Sequence, residues 1–514
     1  MKFTAINIGP ILKTFGLARK PREMWSASYL FSFLMKEIIN SLPNKDDIIS
    51  PATIDDISSV TTDDGKPLGI GLYPDRLFVK GEIGYETIKP AIDTAAKKLN
   101  LDANYFNVML TSDNCNRDAD AIKKLNTKLD YMELFNIASE QTTTEKVRDL
   151  IMNTYGSPLF VDALKDREFP IDSLGEVSAI WFKRKYSKEW NEFKGAIRNK
   201  DPKIAEKAFD KLPKKELRSY HKYFCVVQAD GDNMGATVTH SQLPEGKVKE
   251  ISTELLEFGK SATKEIHEFG GMPIYAGGDD LLFIAPVVGT NGKSIFWLLN
   301  QLNNVSFSKV KEKVEAITIN GEKLKFEEGD NKGKEIHPSL SFGVSVSYYK
   351  YPLYEAHDAA VNLLFNEAKH IDDKNAIALD LRKHSGGTFG IRLSNNHNSL
   401  KTAFDKIIEA SAVDESIISA VAHKIRENEG LLKLWEDASD EKKGMRNKNF
   451  FFNYMEYDPN KKDKNTSDKY KGAALDLLNE LYKLPDMKAD KLTQTLYGML
   501  RVAKFIKGEE VRDE

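Results

Sequence analysis

Tyr275-Ala276-Gly277-Gly278-Asp279-Asp280-Leu281-Leu282-Phe283-Ile284 leads two glycines into two adjacent aspartates, with a short apolar run on each side. Flanking runs of that kind read as the strands of a hairpin and Gly-Gly as its turn. Two acids at a hairpin tip repel each other. A divalent cation removes that cost, and a hard ion such as Mg²⁺ favours carboxylate oxygens together with substrate phosphates. A solvated Asp-Asp turn is the plain alternative, and this stretch alone leaves it open.

A second acidic phrase lies upstream. Tyr223-Phe224-Cys225-Val226-Val227-Gln228 is a β-rich run ending in Ala229-Asp230-Gly231-Asp232-Asn233-Met234-Gly235. A strand that delivers Asp230 at its C-terminal end can set it beside Asp279 and Asp280. Between them, Val248, Ile251, Leu255, Phe258, Ala262 and Ile266 recur every three or four residues, which predicts a helix over about 246–270. Further on the pattern predicts a helix over 293–314, a strand over 340–349, a helix over 352–370 and a strand over 376–381. Residues 316–326 (A-I-T-I-N-G-E-K-L-K-F) read as an Asn-Gly hairpin inserted into this order.

The βαββαβ order, with an Asp on the first strand and a GGDD hairpin, resembles the palm of nucleotidyl cyclases and related polymerases. More specifically, it is similar to the large palm-polymerase subunit of type III-B (Cmr-type) CRISPR effector complexes. A-D-G-D-N-M-G at 229–235, Y-A-G-G-D-D-L-L at 275–282, S-F-G-V-S-V-S-Y-Y-K-Y-P-L at 341–353, E-A-K-H around Lys369 and the His384-Ser385-Gly386 turn carry the likeness. I-G-P-I at 8–11 and A-R-K-P-R-E-M-W-S-A-S-Y-L at 18–30 extend it to the N-terminus. Leu72-Tyr73-Pro74-Asp75-Arg76-Leu77 and Phe169-Pro170-Ile171-Asp172 are weaker echoes. The likeness runs to about residue 390, and the helical pattern beyond carries no recognised motif.

The resemblance implies an α+β fold with two ferredoxin-like palm domains, a helical linker and a helical C-terminal domain. The expected divisions are a degenerate first palm (1–118), a linker (119–218), a second palm with the GGDD site (219–393) and a helical domain (394–514). It also implies ATP as substrate and two Mg²⁺ or Mn²⁺ ions. The expected metal ligands are Asp230, Asp279 and Asp280 with the main-chain carbonyl of Gly231, and the three aspartates are the expected catalytic residues. In this chemistry one ion lowers the pKa of an attacking ribose 3′-hydroxyl and the other stabilises the leaving pyrophosphate. Gly231, Gly277, Gly278 and Lys369 are the expected nucleotide-binding residues. The glycines let a triphosphate approach the backbone, and Lys369 matches the place where this fold holds a triphosphate-binding lysine. Asp232 is read as an acid behind the site or as a turn-former, and the second reading is preferred.

By the same resemblance, target RNA bound by the complex switches on ATP polymerisation. The product is a cyclic oligoadenylate, or AMP joined to another acceptor such as S-adenosylmethionine. The expected partners are other Cmr-type subunits, CRISPR RNA and target RNA. The competing class is a structural scaffold with an idle palm, and a templated polymerase ranks third. A diguanylate cyclase is disfavoured, because its guanine-reading Asn and Asp positions hold Val238 and Lys247 here. The P-loop-like Gly289-Thr290-Asn291-Gly292-Lys293-Ser294 lacks the first glycine at the required spacing, where Val287 stands. An HD-type nuclease is not expected, since no histidine precedes His221 and the only His-Asp is His357-Asp358.

Composition agrees with a soluble globular chain of 514 residues, with 41% hydrophobic and 29% charged residues and a net charge of −3. No apolar run approaches the ~18–20 residues of a membrane span. Cys115 and Cys225 are the only cysteines, which suits a reducing cytoplasm and excludes a four-cysteine zinc site. Residues 181–222 hold fourteen Lys/Arg against six Asp/Glu, interleaved with aromatics. That mixture reads first as a solvated helical linker and second as a nucleic-acid track. Arg19-Lys20-Pro21-Arg22 ahead of a helix suits a phosphate or a partner subunit. Asp63-Asp64-Gly65 reads as a surface turn, and residues 457–471 as a polar loop.

Overall fold

The computed structural model describes the chain except residues 54–68, 135–140, 154–155, 165–172, 199–206, 208–210, 214–215, 372–373, 412–414, 429, 431–444, 447, 452–463, 485–488 and 509–514. Asp63-Asp64-Gly65 and Phe169–Asp172 therefore lie outside the described residues.

Two sheets share one strand order. In the first, β1 (Lys2–Gly9), β2 (Ile48–Ser50), β3 (Arg76–Lys80) and β4 (Asn107–Asn114) lie as β2-β3-β1-β4, and every pair is antiparallel. Helices Pro21–Ser41 and Tyr85–Leu99 occupy the two crossovers. Strand β1 is buried from Phe3 to Ile8 without alternation, as a central strand covered on both faces must be. The Pro21–Ser41 helix starts with proline at its first position, and Glu23 accepts the backbone N–H groups of Arg19 (2.8 Å) and Lys20 (3.2 Å). The carboxylate thus answers free donors at the helix start.

The second sheet repeats the plan with β5 (Tyr223–Asp232), β6 (Met272–Gly277), β7 (Asp280–Pro286) and, after a small hairpin of β8 (Thr318–Ile319) and β9 (Glu322–Lys323), β10 (Ser339–Tyr348). Its core order β6-β7-β5-β10 matches the first sheet element for element. Strand β11 (Ala376–Arg382) adds in parallel beside β10, and β12 (Thr388–Ser394) closes antiparallel on β11. The parallel step needs a crossover, which helix Leu353–Asn366 supplies. Phe224, Cys225, Val226 and Val227 of β5 have no solvent exposure and form the centre of the core.

The predicted 246–270 helix is Lys247–Phe269, with Val248, Ile251, Phe258, Ala262 and Ile266 buried and Leu256 rather than Leu255 filling the third turn. The predicted 293–314 helix is broken into Ile295–Gln301 and Ser308–Glu315 by a π turn at Leu302–Ser306. The cause is Asn303, a buried amide that donates to Asn375 Oδ1 (2.7 Å) and accepts from the Leu340 N–H (3.1 Å). The predicted polar loop at 457–471 is corrected at its end: helix Lys464–Leu481 starts inside it, because Ser467, Tyr470, Ala474, Leu477 and Leu481 fall on one wholly buried face. Helices Asn398–Ala410, Glu415–Glu427 and Ala489–Lys507 complete the C-terminal part.

Candidate active site at the second palm

Strand β5 ends in Asp230-Gly231-Asp232, and β6 and β7 are joined by a two-residue turn of Gly278 and Asp279, with Gly277 paired to Asp280. The turn is thus Gly278-Asp279 rather than Gly277-Gly278. Gly278 has φ +65°, the left-handed value demanded at the first central position, and no atom lies where its side chain would be. Gly277 differs, because the ring and hydroxyl of Tyr275 fill the space its side chain would take. Of the two glycines, Gly278 therefore offers the open face.

Pairing of β5 with β7 carries the hairpin to the end of β5. Gly231 makes the approach possible: a Cβ there would fall 2.5 Å from Asp279 Oδ2 and 2.6 Å from Asp279 Cβ. Asp280 is hydrogen-bonded to Asp230. Asp230 is so brought beside Asp279 and Asp280, and the titration of the latter two reflects it. Asp279 is raised to about 7, first by desolvation and then by the charge of Asp230, against a smaller opposing pull from Lys369. Asp280 is driven well above the usual carboxylate range by desolvation, then by Asp230 and Asp279.

Lys369 is the counter-charge. Its Nζ forms an ion pair with the Asp230 carboxylate and donates to the carbonyls of Asp230 and Gly231 (3.0 Å each) and to Asp232 Oδ1 (2.7 Å). The residue sits on a 3₁₀ turn, Ala368–His370, after the preceding helix has ended. Asp232 is not a turn-former. It is wholly buried, and its two oxygens accept from Ser339 Oγ (2.6 Å), Ser341 Oγ (2.9 Å), the Asn375 N–H (2.9 Å) and Lys369. A buried carboxylate needs that many donors, and in return it fixes Lys369 under Asp230.

Among the described residues, no three acidic, histidine or cysteine side chains are grouped as a ligand set. The reason is the use the acids already make of one another: Asp230 is turned to Lys369 and Asp280 to Asp230. The donor chemistry nevertheless fits a hard cation. An ammonium already lies in a cradle made only of carboxylate and carbonyl oxygens, and the neighbouring Asp279 and Asp280 are raised first by burial and then by the charge of Asp230.

Sequence reasoning missed the Asp232 cage, Tyr275 and Asp75. Asp75, from the first palm, raises both Tyr275 and Asp280 by its charge. The only signal for it was the weak Y-P-D-R-L echo. A cavity of about 870 Å³ opens beside Lys369 against the stretch 326–339, with Asn233, Lys311, Lys334, Lys374 and His370 on its wall. Lys311 is lowered to about 8 by burial. The linker basics behave as structure: Lys185 pairs with Glu216 (2.6 Å), Lys211 with Glu192 (2.9 Å) and Lys194 with Glu176, while Trp181 stacks on His221. His357 is buried and packs against Phe15 of the first palm. Cys115 and Cys225 are buried free thiols. No described helix is long and apolar enough to cross a membrane.

Comparison with known proteins agrees with this geometry. Residues 223–378 match the family described as Cas10/Cmr2, second palm domain, and residues 3–99 match CRISPR-associated protein Cmr2, N-terminal. The CRISPR system Cmr subunit Cmr2 of Pyrococcus furiosus is 25% identical over 296 residues, which cover 52% of this chain and 30% of that protein. The match therefore spans under a third of the curated relative's length. Among solved structures, the type III-B Cmr-beta complex in its apo state matches at TM-score 0.55 with 12% identity, over 98% of this chain and 82% of the other. The same complex bound to cognate target RNA matches at 0.54 with 11% identity, over 98% and 83%. At such identities these structures speak for the fold alone. Residues 223–378 are thus similar to the Cas10/Cmr2 second palm domain and residues 3–99 to the N-terminal region of Cmr2, on a fold shared with the large Cmr-beta subunit.

Proposed function

We propose that the second palm is a nucleotidyltransferase site that converts ATP to a second-messenger nucleotide inside a type III-B RNA-guided complex, switched on by target RNA in antiviral defence. The observation that carries this reading is the convergence of Asp230, Asp279 and Asp280 at one tip, where Lys369 pairs with Asp230 and desolvation, then the charge of Asp230, raises Asp279 and Asp280. Four acids, counting Asp232, against one ammonium are costly unless a further positive charge arrives. Asp230, Asp279, Asp280 and the Gly231 carbonyl would hold Mg²⁺ or Mn²⁺, which when bound supplies charge stabilisation at the phosphate and activation of the hydroxyl. The cavity beside Lys369 has the volume of a small-molecule site, and Lys311, Lys334 and Lys374 on its wall, set among Glu315, Asp330 and Glu335, suit a polyphosphate that carries its own cation. Asp232 keeps Lys369 oriented, and the open face of Gly278 lets a substrate approach the tip.

The product class is a cyclic oligoadenylate or AMP transferred to another acceptor such as S-adenosylmethionine. The partners are Cmr-type subunits, CRISPR RNA and target RNA, and the compartment is the cytoplasm. The proposed division is a degenerate first palm (1–118), a helical linker (119–218), the second palm (219–393) and a C-terminal helical domain (394–514). One observation favours the second reading, a scaffold with an idle palm: Asp230 is already satisfied by Lys369, and the acids as they stand form no ligand set. Mass spectrometry of the assembled complex with ATP, guide and target RNA, with and without S-adenosylmethionine, separates the two. A new nucleotide product that requires target RNA is expected, and its absence under every condition sinks the catalytic reading.

A further inference from the structure

We propose that Ser32, on the long helix of the first palm, is a positioning residue for the GGDD hairpin. It acts through the segment Gly69–Tyr73, which edge-pairs with β6. Strand β6 is the last strand of its sheet, so its outer backbone groups need partners. Gly71 fills that role: it bridges Tyr275 in parallel, and its carbonyl accepts the Ala276 N–H at 3.1 Å. Ala276 is one residue from Gly277, which pairs with Asp280. The first palm therefore grips the strand that presents the acids.

The segment itself is held by one helix. Ser32 Oγ accepts the N–H groups of both Leu72 and Tyr73 at 3.1 Å, using both lone pairs of one hydroxyl. Trp25 Nε1 donates to the Gly69 carbonyl at 3.0 Å. Gly71 lies flat on the helix, and a Cβ there would stand 3.0 Å from Ser28 Oγ and 3.2 Å from Ser32 Cβ. Ser28, Ser32, Ile70, Leu72 and Tyr73 are all at most 3% exposed, so no water replaces these contacts. The helix that makes them starts at the Arg19-Lys20-Pro21-Arg22 cluster. A displacement of that helix shifts Gly71, and with it the register of β6 against β7.

Ser32→Ala and Gly71→Ala test this in the assembled complex, by amide hydrogen exchange and by ATP turnover. Only the turnover measurement rests on the nucleotidyltransferase reading. Thr14→Val is the control: Thr14 is a buried first-palm hydroxyl bonded to the Pro10 carbonyl and to Tyr105 instead of to the segment. In Ser32→Ala, exchange at Ala276 and through the 277–280 turn is expected to rise roughly ten-fold, as for a buried amide that loses its support. Turnover is expected to fall about ten-fold or more with the KM for ATP unchanged, since the acids are displaced while the cavity is intact. Thr14→Val leaves hairpin exchange at the unmodified level. Faster exchange confined to Leu72 and Tyr73 overturns the proposal, as does a loosened hairpin with full turnover. If the unmodified complex makes no product yet Ser32→Ala still loosens the hairpin, the pairing stands and the catalytic reading fails. Should Ser32→Ala not fold, Gly71→Ala is read by the same criteria.

Discussion

The two palms share one four-stranded core topology and differ at its tip. The four core strands of each sheet run 2-3-1-4 in their own order, every core pair antiparallel, with a helix in each crossover, and the second sheet adds a parallel β11 and an antiparallel β12. In the second, the central strand ends in Asp230-Gly231-Asp232 and its neighbours are joined by two residues. In the first, the central strand runs out through Ile8 and Gly9 into Pro10, and β2 and β3 are separated by residues 51–75. The scaffold thus fixes where a tip lies, while the residues at the tip decide whether charge collects there. What the first palm gives the site is a strand-like segment on the edge of β6 and the charge of Asp75.

The largest expected effect comes from removing the paired acids of the second tip. Asp279→Ala with Asp280→Ala should cut nucleotide production by roughly 10³-fold or more, the scale of lost charge stabilisation at a reacting phosphate. Mass spectrometry of the assembled complex reads it. If the product is unchanged, the second palm is as idle as the first and the contrast dissolves. Next is Asp232→Asn. Its two oxygens meet only donors, so an amide nitrogen there faces Ser339, Ser341 or the Asn375 N–H, and Lys369 loses a buried partner. A loss of about 3 kcal/mol in urea unfolding is expected, and a value near zero means the cage is dispensable.

Gly231→Ala sharpens the comparison at the point where hairpin and strand touch. The new Cβ collides with the Asp279 carboxylate, and a displacement of that kind costs about 10²-fold in turnover. Equal turnover in wild type and variant shows that Asp279 need not lie on Gly231. The smallest effect is at the entrance to the second sheet. His221, just ahead of β5, is buried under Trp181, and desolvation first and Arg218 second lower it to about 4. The folded protein then binds fewer protons than the unfolded chain between about pH 6.5 and pH 4. The stability linked to His221 is therefore complete above that window and lost as pH falls through it. His221→Gln should flatten the slope of unfolding free energy there by about 2 kcal/mol in total. An unaltered slope places the acid sensitivity elsewhere.

Much of the fold was legible because it is written in short-range pattern. Period-four burial announced the Lys247–Phe269 helix, and Asn320-Gly321, both at positive φ, announced the β8–β9 hairpin. The broken helix at 302–306 was not legible, because Asn303 leaves the regular ladder to reach Asn375 and Leu340, both far along the chain. Asp232 was misread for the same reason: a D-G-D phrase looks like a turn until Ser339, Ser341 and Lys369 close over it.

By itself the sequence determined which residues carry charge, which runs are strands or helices, and that Asp230, Asp279 and Asp280 sit at strand ends. These follow from side-chain periodicity and turn chemistry, which act over a few residues. Only the tertiary structure decided that Lys369 is clamped between Asp230 and Asp232, that Asp279 lies against Gly231, and that Gly71 of the first palm holds β6. Those contacts join residues more than a hundred positions apart in the chain in the first case, and nearly fifty and over two hundred in the others. They exist because buried backbone groups and buried charges must find partners wherever the folded chain brings them.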